Sequence, residues 1–177
     1  PGLSGEVISQ LAVGPDGRVL AAASNLGAGA TNRLFHSLDG RTFAATALAR
    51  ADAFLVSVAW GGPDGRAYVG AAQLDPPAAL LLVADAPFNA VLERPIPAGD
   101  EAEQPLILST DPVDAELVVL RLDGLTRDRV VVTIDGGASF LEVARFDGEV
   151  LDATLLPGGE LLVVRGDGVA LRGPLLG

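Results

Sequence analysis

The chain has 177 residues, of which 49% are apolar and 20% charged, and its formal net charge is -11. That is enough apolar material for one packed core and too much for a disordered chain, and no uninterrupted apolar run reaches the roughly 20 residues of a membrane helix. The acidic surplus works against nucleic-acid binding, which needs a basic surface to face phosphates.

The chain contains no cysteine and no lysine, and all 12 basic residues are arginine. Disulfides, thiolate metal sites, cysteine nucleophiles and Schiff-base chemistry are therefore excluded. No methionine begins the chain and no signal sequence is visible in residues 1–10. The expectation is a processed product or a piece of a longer protein.

In chain order, the first apolar run is Val7 to Val13, followed by the turn Pro15-Asp16-Gly17 and a second run, Val19 to Ala23. Proline presets the first corner of a turn and glycine supplies the positive φ that follows. Short apolar runs bounded by such residues predict strands joined by hairpins. Gly27-Ala28-Gly29-Ala30 is small and lacks a phosphate-loop lysine, so it reads as a hairpin loop. The alanine-rich stretch Ala44 to Ala53 has helical propensity, but its place in the pattern predicts a strand and a connection.

The arrangement then repeats. Phe54 to Trp60, Pro63-Asp64-Gly65 and Ala67 to Ala72 form the second copy. Pro105 to Leu108, a degenerate turn at Pro112, and Glu116 to Leu120 form the third. Val150 to Leu156, Pro157-Gly158-Gly159 and Glu160 to Val164 form the fourth, with Arg165 to Val169 as a shortened link. Pro15, Pro63, Pro112 and Pro157 recur at intervals of 48, 49 and 45 residues.

A second motif keeps the same period: Ser37-Leu38-Asp39-Gly40-Arg41-Thr42-Phe43, a worn copy from Asp85 to Phe88, and Thr133-Ile134-Asp135-Gly136-Gly137-Ala138-Ser139-Phe140. Four short strands with their turns use roughly 40 to 50 residues, the length of one propeller blade. The fold class expected is therefore all-β: a β-propeller or propeller arc of about three and a half to four antiparallel blades. One domain is divided near residues 5–50, 51–100, 101–146 and 147–177 (partial). An alternative closure pairs the early strand at Glu6 to Val13 with the last blade.

The eight residues from Thr133 to Phe140 resemble the Asp-box, or BNR repeat, with phenylalanine at the aromatic position. Ser37 to Phe43 resembles the same box one residue short. The resemblance implies a β-propeller of sialidase-like or YVTN-like repeat architecture. It also implies a structural role for Ser37, Asp39, Gly40, Thr42, Phe43, Thr133, Asp135, Gly136, Gly137, Ser139 and Phe140, because an aspartate in a tight turn accepts backbone N–H groups.

Sialidases of that superfamily use a tyrosine nucleophile and an arginine trio. Here the one tyrosine, Tyr68, lies in an apolar strand pattern and reads as packing. Arg94-Pro95-Ile96-Pro97 does not keep the order of the Arg-Ile-Pro motif. His36, the single histidine, cannot build a zinc site without cysteines. The acids Asp100, Glu101 and Glu103 lie in a long connection and read as a solvated face. Trp60 is a speculative ligand face, weighed against a role as an anchor between blades.

No catalytic, cofactor or metal residue is assigned. The function expected is a non-catalytic scaffold or binding module for a protein or glycan partner, in an extracellular, cell-surface or periplasmic setting. Remaining blades come in cis, or from another chain in trans. The alternative is part of a sialidase-like glycoside hydrolase.

Overall fold

The computed structural model describes residues 2–14, 17–25, 27, 29–63, 65–156 and 159–174. The turn residues Pro15, Asp16, Asp64, Pro157 and Gly158 lie outside them, so those turns are known only as sequence. Fifteen strands form, and no α-helix forms among the described residues. The first sheet holds β1 (Ile8–Val13), β2 (Val19–Ala23), β3 (Asn32–Ser37) and β4 (Ala44–Arg50). The second holds β5 (Ala53–Gly61), β6 (Arg66–Leu74), β7 (Pro77–Ala84) and β8 (Leu92–Pro95). The third holds β9 (Gln104–Thr110), β10 (Val118–Asp123), β11 (Arg127–Thr133) and β12 (Leu141–Asp147). The fourth holds β13 (Val150–Leu156), β14 (Glu160–Arg165) and β15 (Ala170–Pro174).

Each sheet is an antiparallel meander in sequence order, three of four strands and the last of three. The alanine-rich segment is strand β4, because its residues find hydrogen-bond partners on β3 and Leu48 is buried. Among the described residues the alternative closure does not form: β1 pairs with β2 in the first sheet, not with the last blade. Its pairing partner is the next strand in the sequence.

Period-two alternation explains how the sheets stack. On β10, Val118, Leu120 and Leu122 face the second sheet while Val119 faces the fourth. On β7, Leu80 and Leu82 face the first sheet while Leu81 and Val83 face the third. These middle strands are buried on both faces, so their sequences read as unbroken apolar runs. The result is three apolar layers, one between each pair of successive sheets.

The first strands β1, β5, β9 and β13 run side by side. Each carries one irregularity in its pairing, at 8/10, 55/57, 107/109 and 150/152. Such a bulge adds local twist and frees a residue from the ladder. Between successive blades, side chains of one blade reach the backbone of its neighbour. Ser24 Oγ donates to Leu55 O at 2.8 Å and accepts from Leu55 N at 2.9 Å. Ser57 Oγ donates to Pro105 O at 2.8 Å and accepts from Ile107 N at 3.0 Å. Thr110 Oγ1 donates to Trp60 O at 2.6 Å, and Tyr68 Oη to Ala115 O at 2.6 Å.

Close approach requires glycine at one of these contacts. A Cβ on Gly70 would stand 2.0 Å from Pro105 O and 2.3 Å from Ser57 Oγ. Gly70→Ala should therefore separate the second and third sheets at their inner edge. We expect a loss of at least about 2 kcal/mol, as for an overpacked core, read as a lowered urea midpoint at unchanged slope.

Candidate functional site

The two ends of the stack differ in what they are made of. One end carries the first-to-second and third-to-fourth strand turns, including both intact Asp-type motifs. In the first, Asp39 Oδ1 accepts from Ser37 Oγ at 3.0 Å, Arg41 N at 2.8 Å and Thr42 N at 2.7 Å. Gly40 holds φ 68 there. In the other, Asp135 Oδ1 accepts from Thr133 Oγ1 at 2.8 Å and Ser139 N at 2.8 Å, and Oδ2 from Ser139 Oγ at 2.6 Å. Gly136 and Gly137 both take positive φ, and Gly136 N donates to Glu116 O at 2.9 Å. Both carboxylates are thus occupied within their own hairpins.

The aromatic that ends each motif packs on the side of the preceding sheet. Phe140 joins the layer between the second and third sheets, and Phe88 the layer between the first and second. Phe43 lies with Phe35, Leu3 and Ile8 on the free face of the first sheet. In the worn copy Asp85 instead accepts from Arg66 Nε at 2.6 Å, and Phe88 itself takes φ 65.

Trp60 does not present a ligand face. It is 8% exposed and packed between the first two sheets. Its Nε1 donates to Ala12 O at 3.1 Å, Arg18 lies 5.1 Å over the ring, and Phe88 meets its edge. The indole is the largest side chain available to fill the end of that layer, and the missing side chain of Gly14 leaves it room.

The opposite end carries the second-to-third strand hairpins and the links between blades. Two of those links are short, but residues 96–103 form a long one between β8 and β9. Pro95 and Pro97 end the regular pairing, after Ile96 N has bonded Ala79 O at 3.0 Å. Of the acids that follow, Asp100 stays on a solvated face with its side chain 80% exposed, while the Glu103 side chain turns inward. Glu103 and Arg129 are both buried, and the guanidinium meets the carboxylate through Nε–Oε1 at 2.6 Å and Nη2–Oε2 at 2.5 Å. Arg129 also donates to Glu142 Oε2 at 2.9 Å and to Pro97 O at 2.8 Å. Glu142 continues to Arg145 at 2.9 Å, and Arg145 to Asp100 at 2.9 Å.

Glu101 ties the link to the β10–β11 hairpin. Its Oε1 accepts from Thr126 N, Thr126 Oγ1 and Arg127 N, each at 3.2 Å. The Thr126 N–H, foremost, holds the Glu101 carboxyl below the usual carboxylate range. Arg145, and then Arg129, do the same for Glu142. Side-chain bonding to Glu103, foremost, holds Arg129 above its ordinary value despite its burial. Sequence reading missed Arg129. The available signal was an arginine inside a middle strand, which demands an acidic partner.

Two hollows flank the link. A small polar one of about 150 Å³ lies over Thr126, Arg127, Arg129 and Arg145. A larger one of about 470 Å³ opens between the β6–β7 hairpin of the second blade and the β10–β11 hairpin of the third. Its apolar lining comes from Phe54, Ala72, Leu74, Pro77, Ala78, Ala79, Ala98, Ala102 and Leu125, and its charged lining from Glu101, Glu103 and Asp123. Among the described residues no three His, Asp or Glu side chains converge as a metal-binding group. Nor is any helix there long and apolar enough to cross a membrane.

Two predictions test this account. Glu103→Ala leaves Arg129 buried with one carboxylate of its two, and should cost about 3 kcal/mol of unfolding free energy, the scale of a broken buried pair; urea denaturation measures it. The second concerns pH. Asp39 and Asp135 are both lowered from 3.8 to about 2, Asp39 chiefly by the Thr42 N–H and Asp135 chiefly by the Ser139 hydroxyl. A depressed carboxyl contributes stability that is complete above the unfolded pKa and drains as pH falls through the folded one. Asp39→Asn and Asp135→Asn should therefore be less stable than the parent at pH 6. Their stability should also fall less than the parent's between pH 4 and pH 2, read from urea midpoints across that window.

No protein-family model matches the sequence, and no curated protein sequence matches it. Among solved structures, the Dos1 propeller superposes with a TM-score of 0.62 at 13% identity, over 95% of this chain and 45% of that one. The structure of YCF48 bound to D1 peptide superposes with a TM-score of 0.53 at 17% identity, over 91% of this chain and 47% of that one. The chain therefore spans about half the length of the propellers it matches. What it has in common with them is the fold: four radially stacked antiparallel sheets of a β-propeller.

Proposed function

We propose that this chain is part of an Asp-box propeller that serves as a scaffold or binding module, holding a protein or glycan partner on its inter-blade loop face. The observation that carries the reading is the crevice of about 470 Å³, built by loops of two successive blades beside a link fixed by buried ion pairs. A concave, mostly apolar hollow with a few fixed polar groups is the usual form of a binding site. YCF48, which shares the fold, is bound to D1 peptide, and this supports a protein partner here. The free face of the first sheet, with Phe35 and Phe43, suits a further blade in cis or in trans. Placement outside the cytoplasm rests on the Asp-box resemblance, and the net charge of -11 makes nucleic acid a poor partner.

The hydrolase reading is the weaker one. A glycosidase acid needs a raised pKa; the Glu101 carboxyl is held low, and Asp128, which burial pushes up, is buried and engaged by Arg121 and the Val150 N–H. The arginines around the small hollow are engaged: Arg127 by Asp147, Arg129 by Glu103 and Glu142, and Arg145 by Glu142 and Asp100. Incubation of the chain with fluorogenic glycosides, a sialoside included, should give no turnover, while peptide or glycan arrays should show retained ligands. Turnover that survives repurification would replace the binding reading with the hydrolase one.

A further inference from the structure

We propose that the crevice between the second and third blades docks an extended peptide segment carrying an apolar side chain beside an arginine or lysine. This rests on the binding-module reading and names the chemistry of its partner. The walls are apolar, and two large apolar side chains stand exposed at the hairpins that frame them: Leu74 is 52% and Leu125 88% exposed. Exposed leucines beside an open apolar hollow mark a surface that gains by being covered.

The charge on the lining has one sign. Glu101, Glu103 and Asp123 line the crevice, and among the described residues no arginine does. Glu103 is neutralised by Arg129, and Asp123 by Arg121 at 2.7 Å. Glu101 is held by uncharged donors, with the Thr126 N–H, the Thr126 hydroxyl and the Arg127 N–H on Oε1 and the Leu125 N–H nearby, so among the described residues its carboxylate has no ion-pair partner and Oε2 has no hydrogen bond of ordinary length. The result is a carboxylate fixed in place with one oxygen open beside an apolar hollow. Such an arrangement is complementary to a guanidinium or ammonium group adjoining an apolar side chain. Preorganisation by the hairpin N–H groups removes the ordering cost that a free glutamate would incur on binding.

The test uses the full chain and three dye-labelled capped peptides, read by fluorescence anisotropy. The first has the sequence Gly-Ser-Leu-Arg-Gly-Ser; the second carries Glu in place of Arg, and the third Ser in place of Leu. The first should bind at least about fivefold more tightly than either other, the scale of one partly screened charge contact or one small apolar contact. Glu101→Gln keeps an acceptor oxygen for Thr126 and Arg127 while removing the charge. It should erase the Arg-over-Glu preference and leave the Leu-over-Ser preference in place. Leu125→Asp, at an exposed hairpin tip, should weaken the second preference while urea midpoints stay unchanged. Equal binding of all three peptides, or preferences that survive both substitutions, would overturn the proposal and leave the binding-module reading standing. Failure of every peptide to bind, together with empty peptide and glycan arrays, would overturn both.

Discussion

The structure depends on how the first strand of each sheet satisfies its outer backbone edge. Such a strand has a partner on one side only, and an edge with open N–H and C=O groups invites wrong pairing. Here hydroxyl side chains of the neighbouring blade meet part of that need. Ser24 both donates to and accepts from Leu55, and Ser57 bridges Pro105 O and Ile107 N. Because a serine hydroxyl is short, these bonds fix the separation of successive sheets. They also demand the small residues found there, of which Gly70 is the tightest.

The apolar layers fit within that spacing. Period-two alternation lets Val118 and Val119, neighbours in sequence, serve two different layers. Burial of the middle strands on both faces makes each blade depend on its neighbours, so stability is distributed along the stack in nearest-neighbour steps. The other face of the first sheet carries the same pattern. Phe43 occupies the place that Phe88 and Phe140 hold in the later blades, with no further sheet beyond it among the described residues.

The loop face follows from one departure from the repeat. The link at 96–103 is long where two other links are short, and Glu103 reaches Arg129 while Glu101 reaches Thr126 and Arg127. A buried bidentate arginine is a costly contact to desolvate and gives directional specificity in return. It fixes the link to β11 beside the crevice.

By itself the sequence determined the blade. Pro-Gly turns and the short apolar runs are local signals, and their spacing near 48 residues needs no knowledge of the fold to be read. The hydrogen bonding of Asp39 and Asp135 is equally local, since the partners lie within four residues. Tertiary structure decided the rest. Arg129 is 26 residues from Glu103, and Thr126 is 25 from Glu101, so no local pattern distinguishes these acids from a solvated run. Trp60 lies 48 residues from the carbonyl of Ala12 that fixes its indole. The crevice exists only where hairpins of two blades and a link converge, and nothing within any one repeat encodes that convergence.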